Sequence, residues 1–427
     1  RFTAQHGDSV LFQEQYTRNS VGQIVGKTVS GNGPSKTYGY RYDLAGRLIE
    51  VTQNGSVIGQ YQYDANGNRT QANGIAASYD AQDRLIAYGN RQYQYSANGE
   101  LQQINVGGAI SQYQYDVFGN LRQVTLANGG QLDYVIDGQN RRIGKKVNGV
   151  LVQGFIYQDQ LKPAAELNGN GEVVSRFIYA GKANVPEYLV KGGETYRIIT
   201  DQLGSVRLVV NSQTGEVKQE IDYDAWGNVL ADTNPGFQPF GFAGGIYDRD
   251  TGLVRFGARD YDPQVGRWTA KDPIGFNGGD SNVYGYVKND PVNKIDPSGL
   301  STLRCARELG NPANGDLTPA WNPLRHDYLI VAGQTYGMTT EGNMIWSDGT
   351  VLRGSERKNN NSCKKISDDP DFDKAVLQAI EKIGTPTYNV GAFPGTLGWL
   401  LGARNCQSYV DDVLDQAEKN YKRQDLD

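Results

Sequence analysis

Two aspartates 24 residues apart open the same four-residue pattern, Asp272-Pro273-Ile274-Gly275 and Asp296-Pro297-Ser298-Gly299. Two carboxylates held about 3 Å apart cannot both ionise cheaply, so one keeps a proton and the other does not. Such a pair contains an acid and a base, enough to drive water onto a peptide carbonyl. In each pattern Pro fixes the backbone after the Asp, and the Gly lets another segment approach closely. An isolated Asp-Pro-x-Gly is an ordinary β-turn. Here it is duplicated where the sequence changes character, because all three Cys and both Met lie after Leu300. A carboxylate pair at such a seam is what a self-cleaving carrier needs.

A second constellation lies in the 127 residues after that seam. Cys406, in Arg404-Asn405-Cys406-Gln407-Ser408-Tyr409-Val410, begins an expected helix, where the positive end of the dipole favours a thiolate. His326, in Arg325-His326-Asp327-Tyr328, immediately precedes an apolar strand. An imidazole beside the thiol would lower its pKa and act as general base. Plainer roles stay open. Cys406 suits a small buried residue or one half of a disulfide with Cys305 or Cys363, and His326 a surface salt bridge. The three Cys lack zinc-finger spacing and cannot all pair. No cofactor-binding or metal-binding motif is read.

The elements around this second set are those of a small α+β domain over residues 301–427. Tyr328–Val331 and Met344–Trp346 read as strands, and Asp348-Gly349 as a turn into Thr350–Leu352. Asp371–Ile383 and Cys406 to about Lys422 read as helices with one apolar stripe each. This stretch carries 14 basic and 17 acidic residues, without the cationic footprint of a nucleic-acid binder. The apolar, Gly-rich segment Val390–Gly402 is too short to span a membrane as a helix.

Upstream, residues 1–234 repeat Tyr-Asp-x-x-Gly. Copies stand at Tyr42-Asp43, Tyr63-Asp64, Tyr115-Asp116 and Tyr223-Asp224, with worn ones at Tyr79-Asp80 and Tyr95-Ser96. Tyr-Gln-Tyr at 61–63, 93–95 and 113–115 alternates as a strand with one aromatic face. Asp-x-x-Gly supplies the turn, with Asp bonding its local backbone and Gly accepting positive φ. Such units cannot bury a face alone and must stack. No run of 18 apolar residues occurs, and Arg1 opens in mid-pattern, so the expectation is the C-terminal part of a longer polypeptide.

The tyrosine–aspartate repeats resemble those of the Rhs family. The block from Pro239-Phe240-Gly241-Phe242 through Arg255-Phe256-Gly257-Ala258-Arg259, Gly266-Arg267-Trp268 and both Asp-Pro-x-Gly copies is similar to the Rhs-associated core. The resemblance implies a β-sheet spiral forming a hollow cocoon (1–234), a core plug with an aspartic autoprotease (235–300), and an enclosed C-terminal toxin (301–427). It implies cleavage between Leu300 and Ser301 by Asp272 and Asp296. Arg255, Arg259 and Arg267 are further polar candidates, left unranked. Asp290, in Asn289-Asp290-Pro291, lacks the following Gly and is set aside. The implied setting is a toxin made in the producer's cytoplasm and delivered, as in type VI secretion, into a target bacterium. The implied partners are a cognate immunity protein and a spike or adaptor engaged through an N-terminal region.

The Asn405-Cys406-x-x-Tyr409-Val410 run, with His326 earlier on a strand, resembles the circularly permuted papain-like group, relatives of the NlpC/P60 peptidases. That implies Cys406 as nucleophile and His326 as base, with Asn405 or Gln407 supporting the oxyanion. Asp327 alternates to the opposite strand face and suits no third role. Rival readings are a nuclease, an ADP-ribosyltransferase or a membrane disruptor as the toxin, or a structural surface protein with no toxin.

Overall fold

The computed structural model describes residues 1–299 apart from Asn32, Ala183 and Gly279. Beyond them it describes the backbone of seven strands and the helical residues Val413, Leu414 and Gln416. The fold is mostly β.

The repeat turn forms as its residue types require. Asp43 Oδ1 accepts the backbone N–H groups of Ala45 and Arg47 at 3.0 and 2.9 Å. The Gly46 N–H donates to the Asp43 carbonyl at 2.9 Å, and Gly46 takes φ +81°. The same side-chain bond recurs at Asp64, Asp116 and Asp224. In the worn copy, Asp83 stands in the glycine position and adopts φ +61° itself, which Asp tolerates better than most residues. Further turns of this kind escaped the sequence reading, at Asn19 and Asn168 and, with an aspartate, at Asp137. Asp137-Gly138-Gln139-Asn140-Arg141 makes the identical turn with Asn140 at φ +60°, hidden because Ile136 replaces the tyrosine.

Between the turns run 23 strands, from Phe2–His6 to Val229–Asp232, in one sheet. Each pairs antiparallel with the next along the chain, as in Lys36–Tyr42 with Leu48–Gln53 and Leu48–Gln53 with Ser56–Tyr63. The alternation expected of Tyr-Gln-Tyr holds, since Tyr61, Tyr93 and Tyr113 are buried and Gln62, Gln94 and Gln114 exposed. The register shifts by one residue just before the turn at Tyr42, Tyr63, Tyr79, Tyr95, Tyr115 and Tyr223. A bulge repeated at one position of every copy adds the same local twist each time.

At several copies a tyrosine hydroxyl ties the repeat to the preceding one. Tyr42 donates to the Ile24 carbonyl (2.7 Å), Tyr63 to Leu48, Tyr79 to Arg69 (2.9 Å) and Tyr157 to Arg142 (3.0 Å). Each acceptor is the first residue of a strand following a turn. Arg47 and Arg141 then lie over the rings of Tyr63 and Tyr157, at 4.8 and 5.2 Å.

A four-stranded antiparallel sheet follows, built from Ile246–Tyr247, Val254–Phe256, Arg259–Asp262 and Arg267–Trp268. Phe242, Phe256, Tyr261, Trp268 and Tyr286 form its core. It is fastened to the repeat sheet by buried polar pairs. Asp260 is shared by Arg142 and Arg255, each at 2.9 Å, and Arg255 also donates to Asn120 Oδ1 at 3.1 Å. Asp248 takes the Tyr134 hydroxyl and Lys145, each at 2.6 Å. Breaking a buried pair from one side leaves an uncompensated charge, at a cost of about 3–5 kcal/mol.

Residues Arg1–Asp272 and Ser281–Gly299 form one compact unit; Pro273–Asp280 and Leu300–Asp427 form a second. The second contains a five-stranded antiparallel sheet in the order Thr350–Arg353, Gln334–Thr339, His326–Val331, Thr302–Arg307, Ser362–Ser367. The strand expected from Tyr328 begins two residues earlier, at His326. Strands Thr302–Arg307, Gln334–Thr339 and Ser362–Ser367 were not expected from the sequence. The expected elements at Met344–Trp346 and Asp371–Ile383 lie outside the described residues.

Candidate active site

The turn Phe256-Gly257-Ala258-Arg259 decides which arginine faces the aspartates. It pairs Phe256 with Arg259 and Arg255 with Asp260, so Arg255 and Arg259 stand on opposite faces of the small sheet. Arg255 is spent on the Asp260 and Asn120 anchor. Arg267 donates to the Asp83 carbonyl and lies over the rings of Tyr79 and Tyr284 at 4.9 and 5.0 Å. Arg259 alone of the three meets the duplicated motif.

Arg259 Nη2 lies 3.1 Å from Asp272 Oδ2 and 3.2 Å from Asp296 Oδ2. The same nitrogen donates to the Gly299 carbonyl at 2.7 Å. The two aspartates singled out from the sequence therefore converge, and on a shared guanidinium. That differs from two carboxylates left to share a proton. The cation supplies positive charge between the two negative groups and offsets their repulsion. The Arg259 side chain is 4 % exposed, those of Asp272 and Asp296 12 % and 24 %, so the site is shielded yet open on the aspartate side.

Local structure holds each group. The Asp272 N–H donates to the Val283 carbonyl at 2.8 Å. Asp296 Oδ1 accepts the Gly299 N–H, closing the Asp296-Pro297-Ser298-Gly299 turn with Gly299 at φ +74°. The Trp268 ring lies 4.1 Å from the Arg259 guanidinium. Beside Asp296 sits Tyr286, fully buried; burial, and then the charge of Asp296, push its phenol far above its ordinary pKa, so it stays neutral. The walls are thus aromatic and apolar, which strengthens the electrostatics within.

Gly257 and Trp268 belong to this site and the sequence reading gave them no role. The signal available was the two-residue hairpin turn, whose register ranks the arginines. Asp290, set aside earlier, bonds Asn293 Nδ2 at 2.7 Å and Lys294 at 3.5 Å and sits outside the cluster. Leu300, Ser301, Asn405, Cys406 and Gln407 lie outside the described residues. His326 is described in backbone only, as the first residue of its strand opposite Arg307.

Comparison with known proteins gives the teneurin YD-shell family, whose model matches residues 2–292. The match ends four residues short of Asp296. Zebrafish (Danio rerio) teneurin-3 is 33% identical over 273 residues, 60% of this chain and 10% of that protein. Mouse (Mus musculus) teneurin-4 is 30% identical over 302 residues, 66% of this chain and 11% of that protein. The tRNA3(Ser)-specific nuclease WapA of Bacillus spizizenii is 27% identical over 300 residues, 69% of this chain and 11% of that protein. The crystal structure of TcdB2-TccC3-TEV is similar at 20% identity and TM-score 0.42, over 68% of this chain and 19% of that one. The chain thus spans about a tenth of the curated relatives it matches.

Proposed function

The chain belongs to the teneurin YD-shell family, and from that premise we propose that it is the shell and release device of an interbacterial toxin. Asp272 and Asp296 hydrolyse the Leu300–Ser301 bond of their own chain and free residues 301–427. The observation that carries this reading is the single guanidinium that joins Asp272, Asp296 and the Gly299 carbonyl. Gly299 immediately precedes Leu300, so the clamp that orders the carboxylates also holds the strand one peptide from the cut. One carboxylate takes a proton from water, whose oxygen attacks the Leu300 carbonyl carbon. The same carboxylate returns that proton to the departing Ser301 nitrogen as the C–N bond breaks, while the other orients the water. Arg259 holds the geometry throughout.

The test is mass spectrometry of the expressed chain. Two fragments meeting at 300/301, absent in Asp272→Asn and Asp296→Asn, are expected. Cutting that survives both substitutions sinks the reading.

For the released domain we propose a cysteine hydrolase or acyltransferase with Cys406 as nucleophile, His326 as base and Asn405 or Gln407 at the oxyanion. A cognate immunity protein protects the producer. A second reading, a nuclease, is favoured by the name of the WapA relative. Its 300 aligned residues exceed the 127 that follow Leu300, however, so that likeness rests mainly on the shell and leaves the cargo's chemistry open. Growth inhibition by the full chain, sent to cytoplasm or periplasm beside Cys406→Ala, separates the two. Killing that outlasts the thiol removes the cysteine enzyme.

A further inference from the structure

We infer that Gly257 is a specificity-determining residue of the self-cleaving site. With Ala258 and Arg259 it forms a ledge that reads the backbone of Ser298 and Gly299 and admits only a small residue at 298. The inference rests on the self-cleavage reading and adds what the site recognises.

Two successive carbonyls of the strand are held by two successive residues of the ledge. The Ser298 carbonyl accepts the Ala258 N–H at 3.2 Å. The Gly299 carbonyl accepts Arg259 Nη2 at 2.7 Å. At Gly257 the two backbones come too close for any side chain. A Cβ there would lie 2.7 Å from the Ser298 carbonyl oxygen and 2.9 Å from Ser298 Cα, both backbone atoms. It would also lie 3.1 Å from Leu161 Cδ2 of the repeat sheet, and Gly257 has φ +44°. Contact with a flexible side chain could be relieved by rotation. Contact with backbone on this strand moves the strand itself, and with it the bond two residues on.

The strand's own composition matches. Ser298 is 3% exposed, so a larger side chain has no solvent to enter. Gly299 has φ +74°, and a Cβ on it would meet Arg259 Nε at 3.0 Å. Small residues on both sides of one backbone contact are what close strand docking requires. Recognition here is by fit and by carbonyl bonding at Ser298 and Gly299, the two residues that precede Leu300 in the sequence. A misplacement of about 1 Å can cost on the order of a hundredfold in rate.

The experiment follows cutting of freshly translated full chain against time, at several pH values, for Gly257→Ala, Ser298→Ala and Ser298→Leu, with Asp272→Asn as the uncut reference. Thermal melting reports folding. Ser298→Ala should be cut within about threefold of the unmodified rate. Gly257→Ala and Ser298→Leu should be slowed about a hundredfold, by the same factor at every pH, since docking and not proton transfer is altered. Gly257→Ala cut at the unmodified rate overturns the inference. If Gly257→Ala does not melt cooperatively, Ser298→Leu decides, and its cutting at the rate of Ser298→Ala overturns the inference equally. Cutting of Asp272→Asn at the unmodified rate would strike the self-cleavage reading instead, and is distinct from both.

Discussion

The guanidinium of Arg259 lies over the indole of Trp268, 4.1 Å from the ring centre, and its Nη2 meets both Asp272 and Asp296. The aromatic face fixes the plane in which the guanidinium turns, and so which partners that nitrogen can reach. Cation–π attraction at a desolvated site is worth about 2 kcal/mol.

Trp268→Phe keeps a face for the cation and should be cut more slowly but completely. Trp268→Leu should leave most of the chain whole at the same time point, beyond what its fall in melting temperature explains. Cut fraction against time, beside thermal melts, checks this. Equal rates for the two variants would assign Trp268 to packing alone.

Arg259→Lys should abolish detectable cutting while leaving the shell folded. A lysine ammonium is a compact charge on a flexible stem and cannot reproduce the planar fork over Trp268. Arg255→Lys should do the reverse, lowering the melting temperature through the Asp260 anchor. Electrophoresis and calorimetry on the two variants make the comparison.

Gly227 and Gly119 both stand at the positive-φ position of a repeat turn, at +92° and +80°. Alanine at either costs roughly 1–2 kcal/mol for the left-handed backbone. At Gly227 the new Cβ would also lie 2.4 Å from Phe242 Cγ, whereas at Gly119 nothing stands within 4 Å. Overpacking adds about 1–3 kcal/mol, so Gly227→Ala should unfold at clearly lower denaturant than Gly119→Ala.

Asp137 is raised by burial but lowered more by the Arg141 backbone and side-chain bonds, so its carboxyl sits below the usual carboxylate range. A depressed acid stabilises the fold above its unfolded pKa, about 3.9, and loses that contribution as pH falls through the folded value. Asp137→Asn should therefore melt below the unmodified chain at pH 7, and the gap should close below about pH 4. A gap that widens in acid would refute this account of the turn.

The repeat sheet was legible because its rules are local. Asp43 bonds residues two and four positions on, and Tyr61 and Tyr63 show their faces by alternation alone. The copy at Asp137 was missed because its geometry needs Asp and a positive-φ residue but not the tyrosine by which copies were recognised. At the site, Asp272 and Asp296 were found by their duplicated motif. Arg259 could not be singled out from Arg255 without the hairpin register, and Gly257 and Trp268 act through packing that no pattern of residue types encodes.

Asp296 and the Gly299 carbonyl belong to one turn, so on the proposed cut the reagent and the material it consumes are a single piece of chain. Such a device has no second substrate to accept. Gly299, upstream of the proposed cut, is held by Arg259, and the arrangement is spent after one event. Each shell then liberates one cargo molecule and no more. On that proposal the amount of cargo freed equals the number of chains made, with no amplification at the release step.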